Sequence, residues 1–222
     1  FSASAVLSVM SGASAVNGGK EKDITLKTAL ALKERLERDG RYDVRLTRDS
    51  DVYVEHEDRV TLARKWGAEL FISLHADAAG SDSVAGASVY TISARGETRI
   101  DRESTRNDWK IAIEDGTPER LNSLLEDLVK RETKTRSAEF AELLLPQLQE
   151  AGPVLRNSHR NAGFYVLLAP DVPAVLLELG FLTNDADAKR LQSEKGRKAA
   201  VEAIASTIDT YFSQQDLRLA SN

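Results

Sequence analysis

The sequence predicts an α/β domain with a largely parallel sheet, and two observations support this fold class. Segments with helical spacing alternate with short strand-like segments from residue 20 onward, which is typical of helices packed on a parallel sheet. The run Leu70–Leu74 is largely apolar, as expected of a strand covered on both faces. The 222 residues fit one large domain or one domain with an insertion.

The first half of the chain alternates cleanly between the two patterns. Leucines and alanines recur at helical spacing over residues 21–38, and Asp39-Gly40 ends that helix. Apolar and polar residues then alternate over 42–47, which predicts a half-buried strand. The remaining elements predicted in this half are a helix over 55–66 and strands over 70–74 and 87–92.

The second half begins with an irregular stretch, 96–136, in which 19 of 41 residues are charged. Gly116-Thr117-Pro118-Glu119 indicates a loop before a helix with a narrow leucine stripe. We interpret 96–136 as a surface insertion in a domain that covers 1–222. The elements predicted after it are a helix over 137–150, strands over 163–168 and 174–179, and helices over 185–191 and 195–212.

Composition excludes several classes of function. The net charge of −5 and the pI of about 5.4 argue against a broad basic surface for nucleic acid or anionic lipid. Cysteine is absent, so thiolate chemistry and disulfides are excluded. No Gly-x-Ser-x-Gly elbow and no Walker-type glycine loop occur.

Residues 1–16 carry no charge and are too short to span a bilayer. They contain Ala13-Ser14-Ala15, which is similar to a signal-peptide cleavage site, but the basic segment that precedes such sites is missing. We therefore predict a strand and a loop here. The chain starts at Phe1, and we expect it to be a piece of a longer product.

The chain has three histidines, and they stand in different settings. His75 follows the predicted strand 70–74 directly and has a carboxylate, Asp77, two residues on. His56 lies in a charged helical turn, which favours a solvated surface position. His159 lies in a basic polar segment. It is either an ordinary loop residue or a contact for a substrate carboxylate.

Two glutamates complete the candidate site. Glu178 interrupts an apolar strand, where a lone carboxylate costs several kcal/mol unless it is paired, protonated or near a metal. Glu21 opens the first helix, where it either complements the helix dipole or has a function. Together with His75, these residues suggest a catalytic zinc site, since such sites combine histidine and carboxylate ligands and keep one position open.

Several motifs resemble those of the zinc-dependent N-acetylmuramoyl-L-alanine amidases of bacterial cell walls. Their order and spacing match over about residues 10–212. The matching segments are Lys20-Glu21-Lys22-Asp23, Leu46-Thr47-Arg48-Asp49, Arg59-Val60, residues 71–77 (FISLHAD), 86–90 (GASVY), 162–167 (AGFYVL) and 173–184 (PAVLLELGFLTN).

The resemblance implies a single α/β domain with a mixed, mostly parallel six-stranded sheet flanked by helices. It also implies hydrolysis of the amide between N-acetylmuramic acid and the L-alanine of the stem peptide by zinc-activated water. Glu21 and His75 would then be zinc ligands, and Glu178 the general base. The substrate implies a periplasmic, exported protein that acts on peptidoglycan, without nucleic acid or a transmembrane segment.

The resemblance extends to the insertion, because some members carry a helical segment that covers the zinc site until a partner withdraws it. Stretch 96–136 fits that position, and Glu97, Glu103 and Glu114 are acids within it. We therefore expect autoinhibition, an activator protein that acts on the insertion, a role in cell division, and higher activity on deletion of 96–136.

One part of the family pattern is missing. The family's first histidine ligand stands in a loop about fifteen residues before the glutamate ligand. Alignment of Ser11-Gly12-Ala13 with the family's Pro-Gly-Ala places Val6 at that position. Three explanations are open: a catalytically inactive product, a misread segment, or a substitute ligand from elsewhere. The alternative function is therefore an inactive amidase-like module that binds peptidoglycan or a division partner.

Overall fold

The computed structural model describes residues 3–10, 14, 16, 18–114 and 116–221. Its strands are β1 (Ala3–Val9), β2 (Tyr42–Leu46), β3 (Leu70–His75), β4 (Ala87–Ile92), β5 (Val154–Ala162) and β6 (Ala174–Glu178). Its α-helices are α1 (Glu21–Glu37), α2 (His56–Lys65), α3 (Ala94–Arg106), α4 (Glu119–Ala151), α5 (Asp185–Gln192) and α6 (Glu194–Ala220).

Within the described ranges, the strands form one six-stranded sheet in the order β2-β1-β3-β6-β4-β5. Strands β2, β1, β3 and β6 are mutually parallel, and so are β4 and β5. The β4–β6 pair is antiparallel, which makes the sheet mixed. The predicted fold class is therefore confirmed, and so is a strand near the start of the chain.

Alternation along the strands divides the core into two clusters, one on each face of the sheet. On one face, Leu7, Ile72 and Leu177 pack with buried residues of α1, α4 and α6. On the other face, Val6 and Phe71 pack with residues of α2 and of the segment after β5. Leu176, which lines the cavity described below, belongs to the second face.

The structure corrects the predicted strand over 163–168. A strand lies earlier, at Val154–Ala162, and a single 3₁₀ turn follows at Tyr165–Leu167. β5 pairs with β4 alone in the described sheet, so many of its side chains stay exposed. An edge strand of this kind tolerates polar residues that hide its pattern in the sequence.

The helix predicted over 137–150 is the second half of the much longer α4. The helix has 33 residues, because the charged stretch between its leucine stripe and Ser137 contains no glycine or proline. All its buried residues lie at Ser137 or later, so its first half projects from the core. The boundary proposed at residue 136 therefore lies inside a continuous helix.

In the described part of the chain, no helix is both long and apolar enough to cross a membrane. Of the segment Ala13-Ser14-Ala15, only Ser14 lies within the described residues, where it forms an isolated bridge with Lys20. The proposed cleavage pattern otherwise lies outside them.

Candidate active site

Two neighbouring strands deliver the predicted histidine and glutamate to the same edge of the sheet. His75 is the last residue of β3 and Glu178 the last residue of β6, and the two are in register across the parallel pair. Directly paired residues point to the same face, so the imidazole and the carboxyl group lie side by side. Ligands bind at this carboxyl edge in open α/β sheets.

Glu21 reaches the same place from the first position of α1. Its side chain is buried, and its Oε1 lies 3.5 Å from His75 Nδ1. The same oxygen accepts a hydrogen bond of 3.1 Å from the backbone N–H of Ala76. The structure thus brings together the three residues predicted from the sequence, although they are far apart along the chain.

The other ring nitrogen of His75 contacts a buried serine. Ser73 Oγ lies 3.0 Å from His75 Nε2. Both residues belong to β3 and point to the same face because they are two positions apart. The contact fixes the orientation of the ring and leaves Nδ1 directed at Glu21.

Glu178 is an unusual carboxyl group because it is buried and lies near other acids. Burial raises its pKa to about 8, and the charges of Asp77 and Glu21 act in the same direction. The backbone N–H of Asp77 donates to Glu178 Oε2 over 3.2 Å, which partly opposes the rise. A carboxyl group with a pKa near neutrality is suited to taking up and returning a proton.

A cavity of about 410 Å³ joins these groups. Its lining combines carboxyl and imidazole groups with aromatic and aliphatic side chains. The lining residues are Met10, Glu21, His56, His75, Asp77, Phe164, Tyr165, Val166, Leu176 and Glu178. A concave, partly apolar site with a few convergent polar groups is typical of ligand pockets.

His56 is a lining residue that the sequence analysis assigned to a solvated surface. It begins α2, is half-buried, and has a pKa lowered by burial and then by the nearby Arg59. The charged neighbours in the sequence concealed this position. The sequence offered one signal: His56 stands at the start of a predicted helix. That helix packs on the face of the sheet that carries His75 and Glu178.

The structure also corrects the position assigned to the missing ligand. Val6 lies in the middle of β1, fully buried and in register with Phe71. Val9 pairs with Leu74, so Met10 is the residue that arrives beside His75, and Met10 lines the cavity. The alignment placed the ligand too early in the chain, because residues 3–9 form β1 and pair with β2 and β3.

Two buried arginines anchor the end of β1 at this point. Arg48 donates to the carbonyl oxygens of Val9 and Met10, over 3.2 and 2.9 Å. Arg59 Nη1 lies 2.9 Å from Met10 Sδ, and its Nε donates to the carbonyl oxygen of Val54 over 2.8 Å. Burial lowers the pKa of both arginines.

The donor atoms fit a zinc ion in part. Two ligands of a tetrahedral zinc lie about 3.4 Å apart when each bond is about 2.0–2.1 Å, close to the 3.5 Å between Glu21 Oε1 and His75 Nδ1. Met10 supplies only a thioether, which is not among the usual zinc ligands. Among the residues that the structure describes, no three His, Cys, Asp or Glu side chains form a group that could hold a metal ion.

The proposed insertion contributes to the wall of the cavity and not to its lining, as far as its described residues show. Glu103 and Asn107 both hydrogen-bond to Tyr165 Oη, over 3.0 and 2.9 Å. Trp109 is buried and donates to Thr61 Oγ1 over 2.9 Å. Of the other acids considered, Glu97 pairs with Lys134.

Known proteins are similar to this chain in sequence and in fold. The family profile described as N-acetylmuramoyl-L-alanine amidase matches residues 8–210. The amidase AmiA of Escherichia coli K12 is 34% identical over 207 residues, which cover 90% of this chain and 71% of AmiA. AmiC of E. coli O6:H1 is 30% identical over 198 residues, and the match covers 87% of this chain but 48% of AmiC.

A solved structure supports the fold. The catalytic domain of CwlV, an N-acetylmuramoyl-L-alanine amidase from Bacillus (Paenibacillus) polymyxa var. colistinus, has a TM-score of 0.72 and 22% identity, with coverage of 95% of this chain and 98% of that domain. At this identity the likeness concerns the fold alone. The family profile spans most of the chain, and the chain therefore belongs to the N-acetylmuramoyl-L-alanine amidase family.

Proposed function

We propose that the chain hydrolyses the amide bond between N-acetylmuramic acid and the L-alanine of the stem peptide in peptidoglycan. The observation that carries the proposal is the convergence of Glu21, His75 and Glu178 on one cavity at the carboxyl edge of the sheet. The family profile supplies the substrate class.

Glu178 is the residue that we assign to proton transfer. Its carboxyl group lines the cavity and its pKa of about 8 leaves it able to exchange a proton near neutral pH. It would accept a proton from the attacking water and return it to the amine nitrogen of L-alanine as the amide bond breaks. Both transfers use the same oxygen atoms, so the substrate nitrogen and the water must bind on the Glu178 side of the cavity.

Glu21 and His75 are the residues that would hold a zinc ion, as the 3.5 Å spacing of their donor atoms supports. When bound, the ion would supply a Lewis acid that polarises the scissile carbonyl group. The family is generally zinc-dependent. Because Met10 offers a poor third donor, we expect this chain to bind zinc more weakly than a site with three nitrogen or oxygen ligands.

The test combines turnover with metal binding. Purified protein is titrated with zinc by calorimetry, and release of stem peptides from purified peptidoglycan is measured with zinc added in excess. We expect peptide release from the wild type, and a loss of about 100-fold or more in Glu178→Gln. Glu178→Gln serves as the matched knockout, because the amide keeps the size of the side chain and can still accept from Asp77 N.

Two outcomes would contradict the proposal. One is a folded wild type that releases no stem peptide at saturating zinc, and the other is a Glu178→Gln variant with undiminished turnover. Retained peptidoglycan binding without turnover would instead identify a binding module.

We also propose that an activator acts on stretch 96–136 and that the protein works in the periplasm during cell division. The contacts of Glu103 and Asn107 with Tyr165 support a mechanical link between α3 and the wall of the cavity. A fold relative, the CwlD amidase of Clostridioides difficile, was solved in complex with the GerS lipoprotein. Deletion of 96–136 also removes buried Trp109, so the expected gain in turnover must be measured together with circular dichroism.

A further inference from the structure

A row of three side chains leads away from the cavity along the site face of the sheet. Phe164 lines the cavity and is 44% exposed. Its ring meets the Tyr90 ring edge to face, with 5.4 Å between the centroids. The Arg160 guanidinium lies over the Tyr90 ring, 5.3 Å from its centroid.

Strand register explains why these residues line up. Tyr90 pairs with Arg160 across β4–β5 and with Leu176 across β4–β6, so the three side chains point to one face. Leu176 lines the cavity, which identifies this face as the site face. His159, the residue considered for a substrate carboxylate, is one position out of phase, and its Nε2 lies 3.0 Å from Thr91 Oγ1.

Arg160 is held in place and still has donors to offer. Its Nη1 donates to Tyr90 Oη over 3.0 Å, and the ring below it restrains the guanidinium plane. Its side chain is exposed. No carboxylate of the described residues forms an ion pair with it. A guanidinium has five N–H donors, so most remain for an anionic ligand.

We propose that Arg160 binds the carboxylate of the acidic second residue of the stem peptide, while Phe164 and Tyr90 pack against the peptide between that residue and the cleaved bond. This specificity subsite rests on the amidase function proposed above. The two steps of 5.4 and 5.3 Å are together long enough to cover two residues of extended peptide, at about 3.3–3.6 Å per residue. A planar fork of donors is also the group best matched to a carboxylate.

The test measures binding, so that it does not depend on turnover. Two soluble ligands are compared by calorimetry on chelator-treated protein: N-acetylmuramoyl-L-alanyl-D-glutamate, and the same compound with the α-carboxylate of its second residue as an amide. We expect the wild type to prefer the carboxylate ligand by about 10-fold, the value of a hydrogen bond to a charged group. Arg160→Gln should bind both ligands equally.

The matched control is Arg156→Gln, an exposed arginine on the same strand, which should keep the preference of the wild type. The proposal is overturned if the wild type binds the two ligands equally or binds neither, or if Arg160→Gln keeps the preference. If the preference depends on Arg160 in a protein that releases no stem peptide from peptidoglycan, the subsite stands and the proposed hydrolase function fails.

Discussion

The ends of β1 and of β3 and β6 lie at the same edge of the sheet, but they present very different chemistry. β3 ends in His75 and β6 ends in Glu178, and both groups face the cavity. β1 delivers Met10 to the same cavity, where its sulfur faces Arg59. A strand end can thus keep its place in the fold without presenting a group able to bind zinc or carry a proton. The pairing of β1 depends on its apolar residues and not on that group.

The largest expected effect concerns Glu178 at the end of β6. It measures how much the burial of this carboxyl group lowers the free energy of unfolding. The pKa of Glu178 is raised from 4.5 to about 8, so the unfolded chain ionises at lower pH than the folded protein does. The free energy of unfolding of the wild type therefore falls as pH rises from about 4.5 to 8 and then levels off. Glu178→Gln lacks this fall and should be more stable at high pH, by at most about 5 kcal/mol.

Urea unfolding in the presence of a chelator, at pH 5 and pH 8.5, measures this difference. Met10→Leu is the control at the end of β1, because neither side chain titrates and the difference from the wild type should not change with pH. A stability gain of Glu178→Gln that is equal at both pH values would contradict the prediction.

The second prediction sharpens the comparison by placing a zinc-binding side chain at the end of β1. Met10→His places an imidazole in the cavity beside His75 and Glu21, and zinc affinity should rise by about 100-fold or more. The estimate follows because a direct ligand contributes at least as much as the outer partners of ligands, whose loss costs about 10–100-fold. Calorimetric titration with zinc measures the gain.

Val6→His is the matched control for this experiment. It introduces the same side chain on the same strand and the same face, but into the core at Phe71. It should destabilise the fold and leave zinc affinity at the wild-type value. If Val6→His raises the affinity and Met10→His does not, the strand register described above is wrong.

The smallest expected effect compares two serines that are in register on β1 and β3. Ser73 Oγ contacts His75 Nε2, whereas Ser8 Oγ is buried with no hydrogen-bond partner among the described residues. Ser73→Ala should lower zinc affinity about 10-fold, because the partner of a metal-binding histidine orients its ring. Ser8→Ala should leave the affinity unchanged, and an equal loss in both variants would contradict a specific role of Ser73.

Some site residues could be predicted from the sequence, because their neighbours along the chain are inconsistent with a purely structural role. Glu178 inside an apolar strand and His75 at the end of another one are such residues, and the structure brings both to one cavity. Met10 and His56 lacked this contrast. The position of Met10 depends on strand register, which counting along the chain does not give, and that of His56 depends on how α2 packs on the sheet.

For the same reason, neither strand β5 nor the orientation of Arg160 could be predicted from the sequence. An exposed edge strand carries polar residues on both faces, so its periodicity is weak, and residues 154–162 were not predicted as a strand. Once the register with β4 is known, alternation alone separates Arg160 from His159. Interactions between distant segments therefore decide which of two adjacent basic residues points to the face of the sheet that carries the cavity.

The continuous helix α4 has a mechanical consequence. At about 1.5 Å per residue, its 33 residues form a rod about 50 Å long. Only the C-terminal part of this rod, from Ser137 onward, is embedded in the core. Ser137, the first embedded residue, accepts from the backbone N–H of Ala174 over 2.9 Å, at the start of the strand that ends in Glu178. A force on the first half of α4 would thus act, with the leverage of five helical turns, on the strand that ends in the carboxyl group proposed for proton transfer.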